Sequence, residues 1–99
     1  MHTAKMNQDN ATKILCELGH STRFSVFRLL IKAGDKGLVV GDIQKHLDIS
    51  GPTLSHHIRR LTSVGLVKQN REGRSLYCVA QLDAFREVMG FLEDECCTL

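Results

Sequence analysis

The stretch from Asp48 to Val64, DISGPTLSHHIRRLTSV, constrains the fold of this chain more than any other. It reads as a turn followed by a short amphipathic helix. Ser50 stands where an N-cap hydroxyl can take one of the unpaired N–H groups of the first turn. Pro52 sits just inside the helix start, where its missing N–H costs nothing. Leu54, Ile58 and Leu61 recur at helical spacing and make one apolar stripe. The rest of the helix surface is polar, and Gly51, Thr53, Ser55, His56, His57, Arg59 and Arg60 are the candidate contact residues. Hydroxyls, imidazoles and guanidinium groups on one side of a short helix suit phosphates and base edges in a major groove. The competing reading is a core helix with a solvated polar face, and the flanking sequence has to decide between them.

Charge is distributed in favour of the first reading. The net charge is only +2. Residues 50–75 nevertheless hold Arg59, Arg60, Lys68, Arg71 and Arg74 against Glu72 alone, a local excess of +4. Residues 83–97 hold Asp83, Glu87, Glu93, Asp94 and Glu95 against Arg86 alone, a local excess of −4. A basic block on the proposed recognition segment points to an anionic partner for that face.

Length and composition set the remaining bounds. Ninety-nine residues form a single domain spanning 1–99, with a modest core that a second subunit would enlarge. No segment approaches a membrane span, and MHTAKMNQDN has no apolar stretch like a signal peptide. The expectation is a soluble cytoplasmic protein with no membrane partner. Four cysteines in a reducing compartment do not suggest a disulfide scaffold.

The flanking segments complete the motif. Residues 1–8 are polar and expected to fray. Ala11, Ile14, Leu15 and Leu18 predict a helix over about 9–18, closed by Gly19. A second helix starts near Ser21, and Phe24, Val26, Phe27, Leu29, Leu30 and Ile31 make it apolar on most sides, as a central buried helix would be. Gly34 and Gly37 bracket a loop, and a short helix over about 41–47 precedes the turn. The helix-turn-helix thus occupies about 41–64, and Gly65 stops it. The period then changes: Leu66 to Asn70 and Ser75 to Val79 read as strands joined by Arg71-Glu72-Gly73-Arg74. A hairpin directly after a recognition helix is the layout of a winged helix. Its tip can place Arg71 and Arg74 on the DNA backbone or in a narrow minor groove. The wing covers about 66–79.

The last helix, about 82–95, carries Phe85, Val88, Met89, Phe91 and Leu92 on a broad apolar face. Such a face needs cover. The first helix is its local partner, and the same helices of a second subunit are the next candidate. The expected architecture is therefore mainly α with a small β-hairpin wing, in the order α-α-α-α-β-β-α, as a homodimer built on the first and last helices. Paired recognition helices would read half-sites on double-stranded operator DNA about one helical turn apart.

From about Leu18 to Val79 the chain resembles the ArsR family of small dimeric winged-helix repressors. The resemblance is carried by LGHSTRFSVFRLL at 18–30, SGPTLSHHIRRLTSVGLV at 50–67 and REGRSLYCV at 71–79. It implies a transcriptional repressor that leaves its operator when an inducer binds. It also implies that Thr53, Ser55, His56, Arg59 and Arg60 face DNA and that Arg71 and Arg74 act in the wing. His57 either joins them or braces the helix against a phosphate or a neighbouring helix.

The departures from the family narrow the inducer. Where members of the family carry Cys-x-Cys before an acidic residue, this chain has Val39-Val40-Gly41 before Asp42. Where others bind zinc on the last helix through carboxylate and histidine, residues 82–99 contain no histidine. A metal site made of imidazoles is therefore not expected. Cysteine remains: Cys16, Cys78, Cys96 and Cys97. Soft thiolates select thiophilic ions. Trivalent arsenic or antimony takes up to three thiolates, and an arsenical that keeps one methyl group takes two. A helix of about 14 residues is about 20 Å long, and it separates Cys78 from Cys96 and Cys97 within one chain. If the last helices of a dimer run antiparallel, Cys78 of one chain meets the Cys96–Cys97 end of the other. A Cys78–Cys96–Cys97 set also resembles that of arsenical-responsive members of the family. The expected inducer is arsenite, methylarsenite or antimonite, with no resident cofactor. Cys16, on an amphipathic helix, is expected in the core.

A redox or persulfide sensor in the same fold is the alternative. Glu93, Asp94, Glu95 and the negative helix end disfavour a thiolate at Cys96, which a fast peroxide sensor would want. An enzyme is not expected: no Gly-rich phosphate loop is present, and His56 and His57 belong to the DNA face. A protein-interaction module would leave Arg71, Arg74 and the hydroxyl-rich helix unexplained.

Overall fold

The apolar stripes become five helices and a small sheet in the computed structural model, which describes residues 5–99. Of the stretch expected to fray, residues 1–4 lie outside the described residues, and Gln8 already belongs to the first helix. The order is α1 (Gln8–Leu18), α2 (Ser21–Ala33), a single 3-10 turn (Gly34–Lys36), β1 (Leu38–Val39), α3 (Val40–Leu47), α4 (Gly51–Ser63), β2 (Val67–Glu72), β3 (Ser75–Ala80) and α5 (Leu82–Asp94). This is the expected winged helix-turn-helix with one added strand, β1. The sheet is antiparallel in the order β1-β3-β2, so β3 is its middle strand. Two residues are too few for an alternating pattern, and β1 is recognisable only by its pairing of Leu38 with Cys78 and Val39 with Tyr77.

Local chemistry sets the helix ends. The Asn7 side chain accepts from Asn10 N–H at 2.8 Å and opens α1. His20 does the same for α2, its Nδ1 accepting from Thr22 N–H at 3.1 Å. Asp48 closes α3 in a left-handed conformation, φ 53°, which Asp tolerates better than most residues. Ser50 occupies the N-cap of α4, but its hydroxyl donates to Thr53 Oγ1 at 2.9 Å instead of accepting a backbone N–H. Beyond α4, Leu66 N–H reaches back to Leu61 O at 3.0 Å while Gly65 takes φ 79°.

The core lies where α2, α3, α4 and the sheet meet. Leu54, Ile58 and Leu61 of α4 are buried in one cluster with Val26, Phe27 and Leu30 of α2 and Ile43 of α3. Leu66, Val67 and Cys78 extend this cluster to the sheet. Burying each Leu, Ile or Phe side chain contributes about 1.5–3 kcal/mol relative to exposure. Gly37, at φ 74°, lets the chain pass against β3, where any Cβ would lie 2.1 Å from the Cys78 carbonyl oxygen.

Three expectations need correction. α2 is one-sided and not apolar-buried all round: Phe24 and Ile31 face outward. The wing turn is two residues, Gly73-Arg74, so Arg71 and Glu72 are the last residues of β2, opposite Leu76 and Ser75. Gly73 makes that short turn possible at φ 61°. Cys16 is exposed and not in the core, because the buried stripe of α1 runs through Ala11, Ile14 and Leu18.

α5 buries only Val88 fully. Met89 is 43% exposed and Leu92 51%, and on α1, the helix on which α5 chiefly packs, Leu15 is 45% exposed. The described chain is elongated, 50 × 31 × 20 Å.

Candidate nucleic-acid interface

α4 presents Thr53, Ser55, His56 and Arg59 to solvent. Gly51, at its first turn, is half-buried, and a Cβ there would meet the Gln44 side chain at 3.5 Å. A groove between α4 and the wing is lined by Val40, Ser55, Ile58, Arg59, Thr62, Ser63 and Gln69. Thr62 and Gln69 were missed by sequence reasoning. Thr62 follows Ser55 and Arg59 at helical spacing, which is a usable signal, whereas Gln69 becomes a neighbour only through the fold. Arg71 and Arg74 are exposed near the wing tip. Glu72 is drawn away from them, its carboxylate 3.3 Å from Lys36 Nζ, and that ammonium also lies over the Tyr77 ring at 4.8 Å. The arrangement offers hydroxyl donors and two separated sets of guanidinium groups to a polyanion.

Two residues expected on this surface have partners inside the protein, and one of them, His57, is buried. His57 is buried, with Nδ1 3.2 Å from Arg23 Nη1 and its ring 4.7 Å from that of His20. Arginine can only donate, so His57 Nδ1 accepts. Burial pushes the His57 pKa below its ordinary value, and the nearby His20 and Arg23 charges act in the same direction. His57 therefore braces α4 against α2. Arg60 stays 48% exposed, but its guanidinium is paired. Its Nε donates to Glu17 Oε1 at 3.0 Å and its Nη2 to Glu17 Oε2 at 2.9 Å, a two-pronged pair joining α4 to α1. The Arg60 hydrogen bonds hold the Glu17 carboxyl below the usual carboxylate range, against burial, which would raise it. The periodicity explains the difference: position 57 lies beside Ile58 and Leu61 on the buried side, 56 and 59 are turned toward solvent, and 60 sits at the edge, where its exposed side chain can still reach Glu17.

The cysteines divide similarly. Cys78 is fully buried in β3, its thiol pushed up by burial and facing the Gln69 amide, Nε2 to Sγ 3.7 Å. Cys96 and Cys97 lie beyond α5, both exposed, with their sulfurs 3.0 Å apart. Their mutual S–H···S contact pushes the Cys96 pKa up. The structure brings this pair together and leaves Cys78 at the other end of α5. Among the described residues, no cluster of three or more His, Cys, Asp or Glu is placed to hold a metal ion, and no helix is long and apolar enough to cross a membrane.

A family model described as "Helix-turn-helix domain" matches residues 18–70. The chain belongs to this helix-turn-helix family. Within it, the winged fold is that of ArsR-like regulators. The cadmium resistance transcriptional regulatory protein CadC homolog of Staphylococcus aureus is 32% identical over 74 residues, covering 75% of this chain and 60% of that one. A Halobacterium salinarum protein, provisionally named arsenical resistance operon repressor ArsR, is 34% identical over 61 residues, covering 62% and 46%. The chain spans about half the length of these curated relatives. A homodimeric winged helix-turn-helix DNA-binding domain from Mycobacterium bovis superimposes with a TM-score of 0.69 at 21% identity, covering 97% of this chain and 94% of that one. The relatives of this helix-turn-helix protein are named as regulators of transcription and not as enzymes.

Proposed function

We propose that this helix-turn-helix protein is a homodimeric repressor that leaves double-stranded operator DNA when Cys96 and Cys97 capture a trivalent arsenical. The observation that carries the inducer is the exposed thiol pair at 3.0 Å. Methylarsenite has two exchangeable oxygens. Each Cys thiol forms an As–S bond, its proton leaves with one hydroxyl as water, and two waters are released with no change of oxidation state. Arsenite reacts likewise and keeps one hydroxyl, open to a third sulfur or to water; antimonite has the same coordination chemistry. Two sulfurs already complete a methylated arsenical, which favours methylarsenite. A third sulfur from Cys78 of the partner subunit would require β3 to open, because that thiol is fully buried. The names of the relatives, for cadmium and arsenical resistance, support a thiophilic inducer.

The DNA reading rests on the exposed Thr53, Ser55, His56 and Arg59 of α4 and on Arg71 and Arg74 of the wing. The dimer reading rests on the exposed Leu15, Met89 and Leu92 and on the homodimeric Mycobacterium bovis domain. The reducing cytoplasm would keep the thiol pair reduced.

The close sulfurs also favour a second reading, in which an oxidant or persulfide donor converts the pair to a disulfide or persulfide. The raised Cys96 pKa opposes fast attack by that thiol. One titration separates the two. Reduced protein is bound to a fluorescent duplex selected from a random-sequence pool, and anisotropy is followed with arsenite, methylarsenite, zinc, peroxide or a persulfide donor. Release by a trivalent arsenical alone is the expected result. Release only by peroxide or persulfide overturns the arsenical reading in favour of the redox one. Absence of salt-dependent duplex binding overturns the repressor reading.

A further inference from the structure

The cysteine pair and the DNA face lie at opposite ends of a chain of contacts. α5 leads into Cys96 and Cys97 and packs chiefly on α1. α1 in turn packs on both α2 and α4. A movement of α5 therefore reaches α4 through α1, and one α1 residue makes that connection with charge. The Glu17 carboxylate accepts both prongs of Arg60 and also faces Arg23 Nε at 3.3 Å. That same Nε donates to the Glu17 backbone carbonyl at 2.7 Å. Arg23 passes the link on through Nη1 to His57 Nδ1 at 3.2 Å. From one position on α1, two routes thus arrive on α4 at His57 and Arg60, on successive turns of one flank.

The surroundings make this more than a surface clip. The Glu17 side chain is 10% exposed and that of Arg23 11%. Among the described residues, no buried side-chain nitrogen or oxygen lacks a partner, so the network is closed. A two-pronged guanidinium–carboxylate pair fixes distance and angle together, and it is either made or broken. A broken pair leaves a charge in a poorly solvated position, which costs more than loss of an exposed pair. Such a two-state element can transmit a displacement between packed helices that sliding apolar contacts would absorb.

We propose that Glu17 is the positioning residue that couples the α1–α5 layer to the recognition helix α4, through Arg60 directly and through Arg23 to His57. It orients α4 so that its outer face meets DNA, and a shift of α1 turns that face. The inference rests on the DNA reading above and, for one arm of its test only, on the inducer reading.

The test uses hydrogen exchange by mass spectrometry on the full chain, free and bound to a duplex selected from a random-sequence pool. Binding linkage is reciprocal, so DNA on α4 must be felt in α1 and α5. In the wild type, DNA slows exchange in α4 and also changes it in α1 and α5. In Glu17→Gln, which keeps the shape and removes the charge, α4 is still protected, and the α1 and α5 response falls about threefold or more. Arg60→Lys keeps a cation at a side chain that is 48% exposed and loses the two-pronged geometry, so it shifts the response in the same direction even if Glu17→Gln folds poorly. A merely structural clip would lower stability and leave this response intact. Equal α1 and α5 responses in the wild type and in Arg60→Lys overturn the proposal, as does a wild type in which DNA leaves α1 and α5 unchanged. A second arm adds methylarsenite and compares duplex affinity with and without it. The fold-loss of affinity shrinks in both variants while the arsenical adduct still forms by mass. A wild type that holds DNA in methylarsenite sinks the inducer reading, and the exchange arm, which contains no arsenical, still decides Glu17.

Discussion

Three doublets of identical functional residues occur in this chain, and they fare differently in two regions. On α4, His56 and Arg59 are exposed, while His57 is buried and Arg60 is drawn into Glu17. Beyond α5, Cys96 and Cys97 are both exposed and their sulfurs touch. The backbone makes the difference. Successive residues on an α-helix point about 100° apart, so a doublet within a helix is divided between two environments. At the end of α5 the helix stops, and Cys97 takes a left-handed conformation, φ 65°. There the doublet brings its two sulfurs to 3.0 Å from each other. A repeated residue type thus shows which chemistry is available, and the local backbone determines how many copies act.

The sharpest way to break the comparison is at the cysteine pair. Cys96→Ser and Cys97→Ser, singly or together, are expected to leave duplex binding intact and abolish release by methylarsenite in the anisotropy titration. Release by either single variant would show that the two sulfurs do not act as one site. The histidine doublet comes next. His57→Ala removes the acceptor facing Arg23 and is expected to cost about 1–3 kcal/mol in urea unfolding, the cost of orphaning a buried donor. His56→Ala is expected to stay within about 0.5 kcal/mol, as an exposed substitution does. The arginine doublet should divide on a different axis. Arg59→Ala is expected to lower the slope of log affinity against log salt by about one phosphate contact. Arg60→Ala should change that slope less and show instead as lost stability and altered coupling. Equal slopes for the two variants would make Arg60 a phosphate contact of the same weight as Arg59.

The smallest effect is in pH. His57 has its folded pKa lowered from its ordinary value of 6.5, so the unfolded chain binds its proton more readily. Its contribution to stability is complete above that value and is lost as pH falls from about 6.5 toward the lower folded value. Unfolding midpoints measured across that window should fall with acidification in the wild type and less steeply in His57→Gln. Parallel curves would mean that the imidazole does not titrate in the folded interior.

Much of the architecture could be read from spacing. Leu54, Ile58 and Leu61 define the buried side of α4, and Gly65 and the change of period define the wing. What failed shared one cause: the reading depended on neighbours that the sequence does not name. The pairing of Arg60 with Glu17 was not legible because the two lie 43 positions apart. Ser50 is the N-cap by position, but its hydroxyl donates to Thr53 Oγ1 and takes no backbone N–H. Phe24 and Ile31 looked like core because apolar residues cover most of the α2 surface, whereas the fold buries only one stripe. Cys16 differs from a core position by a single step of rotation around α1. β1 carried no pattern of its own and takes its identity from β3.

The position of Cys78 has a kinetic consequence. Its strand is hydrogen-bonded on both edges, its thiol is fully buried, and Gly37 presses the chain against its carbonyl. Cys96 and Cys97 have no such cover. Under a pulse of alkylating reagent, the terminal pair and exposed Cys16 should be labelled without any opening of the fold, while Cys78 waits until the sheet opens. The mass of the fourth adduct, followed over time, would then record how often the wing and the core part company. The protein thereby carries its own clock for the lifetime of its native state, read without dye, denaturant or DNA.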